Sequence, residues 1–216
     1  MKEVFVYVEG PSDQLGMRSL FAKIINDALS DGNKIDFYPM YGKEPLLNNG
    51  PKKAVNILRN RPDSWVFLLP DLYPKNKPFP HSSYEELKEE LERRFDRELQ
   101  SKHCDEGLKK RFRVHCFKHD LEALVLASED ILMKRLGTEK FSRAWTIPVE
   151  NQNHNQPPKR IVEALFSDIG MKYKDTADVP WILERSDCND LKRKCAQNFG
   201  LFLNNLLEII RQKERE

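Results

Sequence analysis

Residues 4–13 read VFVYVEGPSD: five apolar residues, followed by a glutamate, a glycine, a proline and a serine. An apolar run of this length that ends in turn residues is typical of a strand in a parallel sheet. Ser12 is predicted to cap the helix that follows, which leaves Glu9 at the carboxyl end of the strand. Ligands of open α/β sheets bind at that edge. Glu9 therefore either binds a ligand or only solvates a turn.

Helices and strands alternate after this turn. The apolar positions from Met17 to Ala28 recur with the helical period, and Gly32 follows as a residue that ends a helix. Residues 35–41 (IDFYPMY) predict a second strand, which Pro39 places at an edge of the sheet.

The same alternation continues through the middle of the chain. A short helix is predicted after Pro51, and the apolar run WVFLL at 65–69 predicts a strand buried on both faces. A helix with one apolar stripe over 84–99 and a strand at 112–118 come next, and the pattern is helical from residue 126 onward. This order predicts an α/β fold, with a mostly parallel sheet flanked by helices.

Length and charge limit the kind of protein. A chain of 216 residues suits an α/β core at 1–125 with a helical extension at 126–216 packed on it, or one single domain. Lysine and arginine number 36 against 34 acidic residues, for a net charge of +2. A domain that binds nucleic acid constitutively is more often strongly basic. The near-neutral balance favours a protein that needs a partner to hold its substrate.

The sequence also bears on location. The four cysteines show no CxxC spacing and are expected to be reduced thiols. No apolar run approaches the length of a membrane span, and the start MKEVFVYVEG is unlike a signal peptide. We therefore expect a cytoplasmic protein with no membrane contact.

The C-terminal segment LFLNNLLEIIRQKERE, residues 201–216, carries an apolar stripe. Two alternatives are open for it. The stripe either caps the core or forms a contact with a second copy of the chain or with a partner.

Acidic residues follow three of the predicted strands. Glu9 follows the first strand, Asp71 follows the most buried one, and Glu122 comes shortly after the fourth. Because the carboxyl ends of parallel strands share one edge, Glu9 and Asp71 are expected to converge there. Paired carboxylates suit Mg²⁺ or Mn²⁺. Asp120 is interpreted as the partner of a helix dipole, whereas Glu122, within LEALVL, requires a metal or a base.

Four motifs together resemble a known family. VEGPSD is similar to the VEGxTE opening of TOPRIM-like proteins, and most similar to that of the prokaryotic domain-of-unknown-function family 4276. LLPDLYP resembles the acidic strand end of that family, HDLEALVL its HExEALL-like segment, and PPKR at 157–160 its PxKR element. The resemblance spans roughly residues 3–165. It implies a TOPRIM/Rossmann-like sheet, divalent-metal phosphodiester chemistry, and a role in defence against phage, often beside an ATPase partner.

The resemblance also implies roles for single residues. Glu9 would be a metal ligand or general base, and Asp71 the first acid of a DxD pair. Tyr73 stands where the second acid is expected. Either His119 and Glu122 supply the missing ligand, or the site holds one metal. His119 is also a candidate to deprotonate the attacking water.

Two functions follow from these residues. The first is a Mg²⁺- or Mn²⁺-dependent nuclease acting on DNA or RNA, in which Lys159 or Arg160 contacts the non-reacting phosphates. The second is a catalytically weak TOPRIM-like module that binds an ATPase partner or a nucleic-acid end without cutting it. The missing second acid favours the module, and the retained carboxylates favour the nuclease.

Overall fold

A four-stranded, all-parallel sheet lies at the centre of the computed structural model, which describes residues 1–75 and 81–211. The sheet order is β2-β1-β3-β4, so the two most apolar strands are central. The strand bounds are β1 (Glu3–Val8), β2 (Lys34–Pro39), β3 (Ser64–Leu69) and β4 (Phe112–Val114). The α/β fold predicted from the alternating pattern is confirmed, and the strand that contains Pro39 is an edge strand as expected.

Helices cover both faces of the sheet because successive residues of a strand point to opposite sides. In β3, Phe67 and Leu69 belong to one hydrophobic cluster, and Val66 and Leu68 belong to the other. The second cluster is completed by α3 (Lys43–Asn60) and α4 (Tyr84–Ser101). The first is completed by α1 (Pro11–Leu20), α2 (Ala22–Ser30), α5 (Glu122–Ala127), α6 (Glu129–Leu136), α7 (Pro158–Asp168), α8 (Asp175–Glu184), α9 (Cys188–Lys194) and α10 (Phe199–Arg211). Short 3-10 helices occupy Glu106–Arg111 and Val149–Asn151.

The first helical region departs from prediction in two ways. Gly10, and not Ser12, is the N-cap of α1. Pro11 takes the first helical position, where its missing N–H is no loss, and the Asp13 carboxylate accepts the Gly10 N–H at 2.8 Å. The single helix predicted up to Gly32 is also interrupted at Phe21, which is fully buried between α1 and α2.

The helix predicted after Pro51 begins earlier than expected. α3 starts at Lys43 and carries Pro51 in its interior. Burial explains the extension, because Leu46 and Leu47 are completely buried in the first turns. A Cβ atom placed on Gly50 would lie 3.0 Å from the Leu68 side chain, so this part of the helix packs closely on β3.

The C-terminal helices share one core with the sheet. Phe199 and Phe202 of α10 contact the ring of Phe21 at centroid distances of 6.1 and 5.9 Å. The described part of the C-terminal segment therefore caps the core, and residues 212–216 lie outside the described residues. The division at residues 125 and 126 stays a prediction; that boundary falls inside α5. Within the described residues, no helix is both long and apolar enough to cross a bilayer.

A close approach between α1 and α8 provides a stability test. A Cβ atom on Gly16 would lie 2.7 Å from side-chain carbons of both Leu121 and Val179. We expect Gly16→Ala to lower the free energy of unfolding by about 1–3 kcal/mol, because these contacts leave no room for a methyl group. Thermal unfolding followed by circular dichroism measures the change. The control is Leu15→Ala, which alters an exposed side chain of the same helix. Equal melting temperatures for wild type and Gly16→Ala would contradict the packing described.

Candidate functional site

The carboxyl ends of β1 and β3 bring two acids into contact. Val8 and Leu69 are paired in the parallel register, so the chain leaves both strands at the same level. The Asp71 N–H donates a hydrogen bond to Glu9 Oε1 at 2.9 Å. The structure thus places Glu9 and Asp71 together, as their positions after the strands predict.

The segment after β4 continues to the same edge. Asp71 forms a parallel bridge with Phe117, and the Leu72 N–H donates to the Phe117 carbonyl at 2.7 Å. This pairing carries Asp120 towards the two acids. The Asp120 carboxylate accepts the backbone N–H of Lys159 at 3.1 Å, so it serves the start of α7 and not the helix that follows it in sequence.

Five carboxyl groups at this edge influence one another; we call Glu9, Asp13, Asp71, Asp120 and Glu122 the acidic edge. Burial raises the pKa of Glu9 to about 7. Burial, with the charges of Glu9, Asp13 and Asp120, holds the pKa of Asp71 well above its usual range. Burial and the charge of Glu122 raise the pKa of Asp120 to about 8, and burial raises that of Asp13. A cluster of carboxyl groups with raised pKa values is typical of functional sites.

The buried carboxylate of Glu122 is paired with a lysine side chain. The Glu122 side chain is 4% exposed, and Oε1 accepts a hydrogen bond from the Tyr173 hydroxyl at 2.9 Å. Lys159 Nζ lies 3.7 Å from the same oxygen and 3.0 Å from Asp175 Oδ2. Burial raises the pKa of Glu122, and the charge of Lys159 opposes that rise. Lys159, predicted to contact phosphate, is therefore engaged with carboxylates.

A cavity of about 630 Å³ borders the acidic edge at Asp120. The Tyr73 ring lies between the rings of His119 and His154, at centroid distances of 5.7 and 5.4 Å. Besides Asp120, the polar or aromatic side chains in its lining are Tyr73, Lys75, His119, His154, Asn155 and Arg160. Arg160 is exposed at this cavity, and its phosphate-binding role stays a prediction.

The contact with the Gln152 carbonyl decides which nitrogen of the His119 ring carries the proton. Burial lowers the pKa of His119, and its ring is 2% exposed. Nε2 lies 2.7 Å from the Gln152 carbonyl oxygen, which only accepts, so Nε2 carries the proton. Nδ1 keeps a lone pair and has no hydrogen-bond partner among the described residues. The structure places His119 in the cavity wall and not in contact with Glu9 or Asp71.

Comparison with protein families connects this site to one of them. A family model described as a domain of unknown function (DUF4276) matches residues 8–207. The chain belongs to the DUF4276 family. The match includes the acidic edge, the cavity and the start of α7, and it confirms the family resemblance; the relation to TOPRIM proteins stays a prediction. No curated protein and no solved structure matches the chain.

Sequence reasoning missed a lysine in this DUF4276 site. Lys43 begins α3, and its ammonium donates a hydrogen bond to the Leu72 carbonyl at 3.0 Å. Burial lowers the pKa of Lys43, and the charges of Glu9 and Asp71 oppose that change. The signal in the sequence was the turn YGKEP directly after the second strand, at the same edge as Glu9.

The donor atoms of the acidic edge suit a hard cation. Carboxylate oxygens are the usual ligands of Mg²⁺, which keeps several waters and requires one or two protein carboxylates. Glu9 and Asp71 provide that number, on residues joined by the hydrogen bond from the Asp71 N–H to Glu9. Among the described residues of this DUF4276 protein, no three histidine, cysteine or acidic side chains form a ready metal-binding group. A cation at this edge would draw the carboxyl groups together.

Proposed function

We propose that this DUF4276 protein is a nuclease that hydrolyses phosphodiester bonds of DNA or RNA with Mg²⁺ or Mn²⁺ held at the acidic edge. The observation that supports this most is the contact between Glu9 and Asp71 at the carboxyl edge of the sheet. Two half-buried acids that repel each other are stabilised by a cation between them. The burial that raises their pKa values favours the same conclusion.

Glu9 and Asp71 would hold the cation through their oxygens. When bound, a divalent cation polarises a phosphoryl oxygen and lowers the pKa of a coordinated water. The charge of Asp120 acts on Asp71, and Asp120 is assigned the role of a base and not of a metal ligand. Glu122 is paired with Lys159, so a metal-ligand role for it requires Lys159 to move away.

Two groups are suited to accept the proton of the attacking water. Asp120 has its pKa raised to about 8, close to the pH at which a general base works best. His119 has a lone pair on Nδ1, but this atom is buried, so the role of base requires the ring to turn towards the cavity. Arg160, exposed at the cavity, contacts a phosphate that does not react, and this positions the strand without reading its sequence.

A second function is supported by a different observation. The catalytically weak module, which binds an ATPase partner or a nucleic-acid end without cutting, agrees with Tyr73 in place of an acid. It also agrees with the lack of a ready three-residue metal group among the described residues. The wider role in phage defence, the ATPase partner and the cytoplasmic location rest on the sequence and its family resemblance alone.

Metal binding separates these functions without a choice of substrate. We expect Mn²⁺ or Mg²⁺ at about a hundred times its dissociation constant to raise the free energy of unfolding by about 2.7 kcal/mol. Differential scanning fluorimetry and calorimetry measure the effect. Asp71→Asn should abolish it, while Asp130→Asn, which changes an exposed acid in α6, should not. Absence of metal binding to the wild type would favour the module.

A further inference from the structure

Two aromatic surfaces lie on either side of the acids. The sheet order β2-β1-β3-β4 fixes the order of the residues that follow the strands at the carboxyl edge. Tyr41 follows β2, Glu9 follows β1, Asp71 follows β3, and the cavity wall at His119 follows β4. Neighbouring strands are about 4.8 Å apart, so this row spans roughly 14 Å. The acids therefore occupy the middle of a row with an aromatic group at each end.

Tyr41 is held in an unusual conformation beside Glu9. Its side chain is 77% exposed, and its φ of 60° lies in the left-handed region that bulky residues rarely adopt. The residues on both sides are fixed, since the Met40 N–H donates to the Val8 carbonyl and the Gly42 N–H to the Glu9 carbonyl, at 2.9 and 2.8 Å. Backbone strain of this kind is concentrated at functional sites.

The cavity at the other end has the features of a site for a base and a phosphate. The stacked rings of Tyr73, His119 and His154 together provide an aromatic wall. Lys75 and Arg160 provide positive charge in the same lining. A concave space of about 630 Å³ admits one nucleotide, and a base reaches the aromatic wall only when it is not paired within a duplex.

We propose that the carboxyl edge is a track for an unpaired nucleic-acid strand, with one nucleotide in the cavity and a base on the other side of the acids stacked on Tyr41. This inference rests on the proposed function and names its substrate class as single-stranded nucleic acid. The phosphate between the two bases lies over the acidic edge. Stacking is tolerant of sequence because every base presents an aromatic face.

The number of positive charges on the track predicts how strongly binding depends on salt. The protein has a net charge of only +2, and two cations, Lys75 and Arg160, line the cavity. Two phosphate contacts give a slope of about −1.4 for log affinity against log salt on a single strand. Binding should therefore depend on salt far less than it does for a basic nucleic-acid-binding domain.

The test measures binding with cleavage prevented. Fluorescence anisotropy of a labelled oligodeoxythymidylate is recorded in Ca²⁺, which takes the same oxygen ligands as Mg²⁺, and is compared with the duplex that this strand forms with oligodeoxyadenylate. We expect the single strand to bind at least about tenfold more tightly. Tyr41→Ala should weaken binding about fivefold or more, whereas Tyr41→Phe, which keeps the ring, should bind like wild type.

The cavity is tested in the same assay. Arg160→Ala should weaken binding and flatten its dependence on salt. The matched control is Arg59→Ala, an exposed arginine at the end of α3 that lies away from Lys43. Melting temperatures confirm that each variant is folded. The track is overturned if the wild type does not bind, if the duplex binds as tightly as the single strand, or if Tyr41→Ala and Arg160→Ala bind like wild type.

A cleavage assay distinguishes failure of the proposed nuclease activity from failure of the track. Cleavage of the same oligonucleotide is assayed in Mg²⁺ and in Mn²⁺. Binding without cleavage would contradict the proposed nuclease activity and support the track. Cleavage that is unchanged in Tyr41→Ala and Arg160→Ala would support the nuclease activity and contradict the track.

Discussion

Glu9→Gln is expected to reduce metal-dependent cleavage about a hundredfold or more and, in the absence of metal, to make the protein more stable at pH 8. The loss of activity follows from removing one of the two carboxylates, Glu9 and Asp71, that are proposed to hold the cation. The gain in stability follows from removing a charge that is buried at a cost. Glutamine has the same shape, and its carbonyl oxygen can still accept the Asp71 N–H.

The sign of the pH dependence follows from the Glu9 pKa. The pKa of Glu9 is about 7 in the folded protein and 4.5 for an ordinary glutamate, as in the unfolded chain. Between pH 4.5 and pH 7 the folded state therefore binds more protons than the unfolded state. The free energy of unfolding of wild type therefore falls as the pH rises through this window. The decrease amounts to about 3 kcal/mol above pH 7. Glutamine cannot ionise, so the free energy of unfolding of Glu9→Gln should fall less than that of wild type over this window, by the contribution of Glu9 alone.

Urea unfolding at pH 5 and pH 8, in the presence of a chelator, measures the stability of both proteins. Glu44→Gln, an exposed glutamate in the first turn of α3, is the matched control and should behave like wild type in both assays. Cleavage that survives in purified Glu9→Gln would show that the acidic edge is not the catalytic site. If Glu9→Gln loses activity as expected but gains no stability, burial of the Glu9 charge does not destabilise the folded protein.

Glu150→Ala should give the largest loss of stability among the substitutions considered. Glu150 is 4% exposed and lies in the 3-10 helix Val149–Asn151. Its carboxylate accepts the backbone N–H groups of Gln197, Asn198 and Phe199 at 2.7, 2.8 and 3.1 Å. Alanine would leave three donors at the start of α10 without their acceptor. We expect a decrease of about 3 kcal/mol or more in the free energy of unfolding.

The midpoint of urea unfolding reports this change. We expect it to fall by about 1.5 M with an unchanged slope, since the slope is about 2 kcal/mol/M for a domain of this kind. Glu150→Gln keeps one acceptor oxygen and should fall between wild type and Glu150→Ala. Glu184→Ala, at an exposed glutamate, is the control. A Glu150→Ala protein as stable as wild type would mean that α10 does not depend on this carboxylate.

The sequence predicted the part of the site that local patterns encode. Glu9 and Asp71 were found because each follows an apolar run of strand length, and parallel strands place their carboxyl ends at one edge. Asp120 was interpreted as the partner of a helix dipole because it lies just before a helix, and Asp13 was given no role in the site. Their approach to Asp71 depends on tertiary packing, which no local pattern contains.

The fold was predictable to a similar degree, and for similar reasons. Strands with continuous apolar runs were placed correctly, because burial on both faces leaves a strong signal. The start of α3 was missed because KEPLLNNG contains a proline, two asparagines and a glycine, which are weak helix formers. Burial of Leu46 and Leu47 outweighs these preferences, and burial is set by the sheet that the helix packs against.

The joining of the first strand to the last helix has a consequence for biosynthesis. Lys2 Nζ donates a hydrogen bond to the Ile209 carbonyl at 3.0 Å, and α10 packs on the core of which β1 is part. A nascent chain exposes the part of that face which α10 covers until α10 has left the ribosome. Products interrupted before α10 would display this apolar surface and be open to chaperones and proteases.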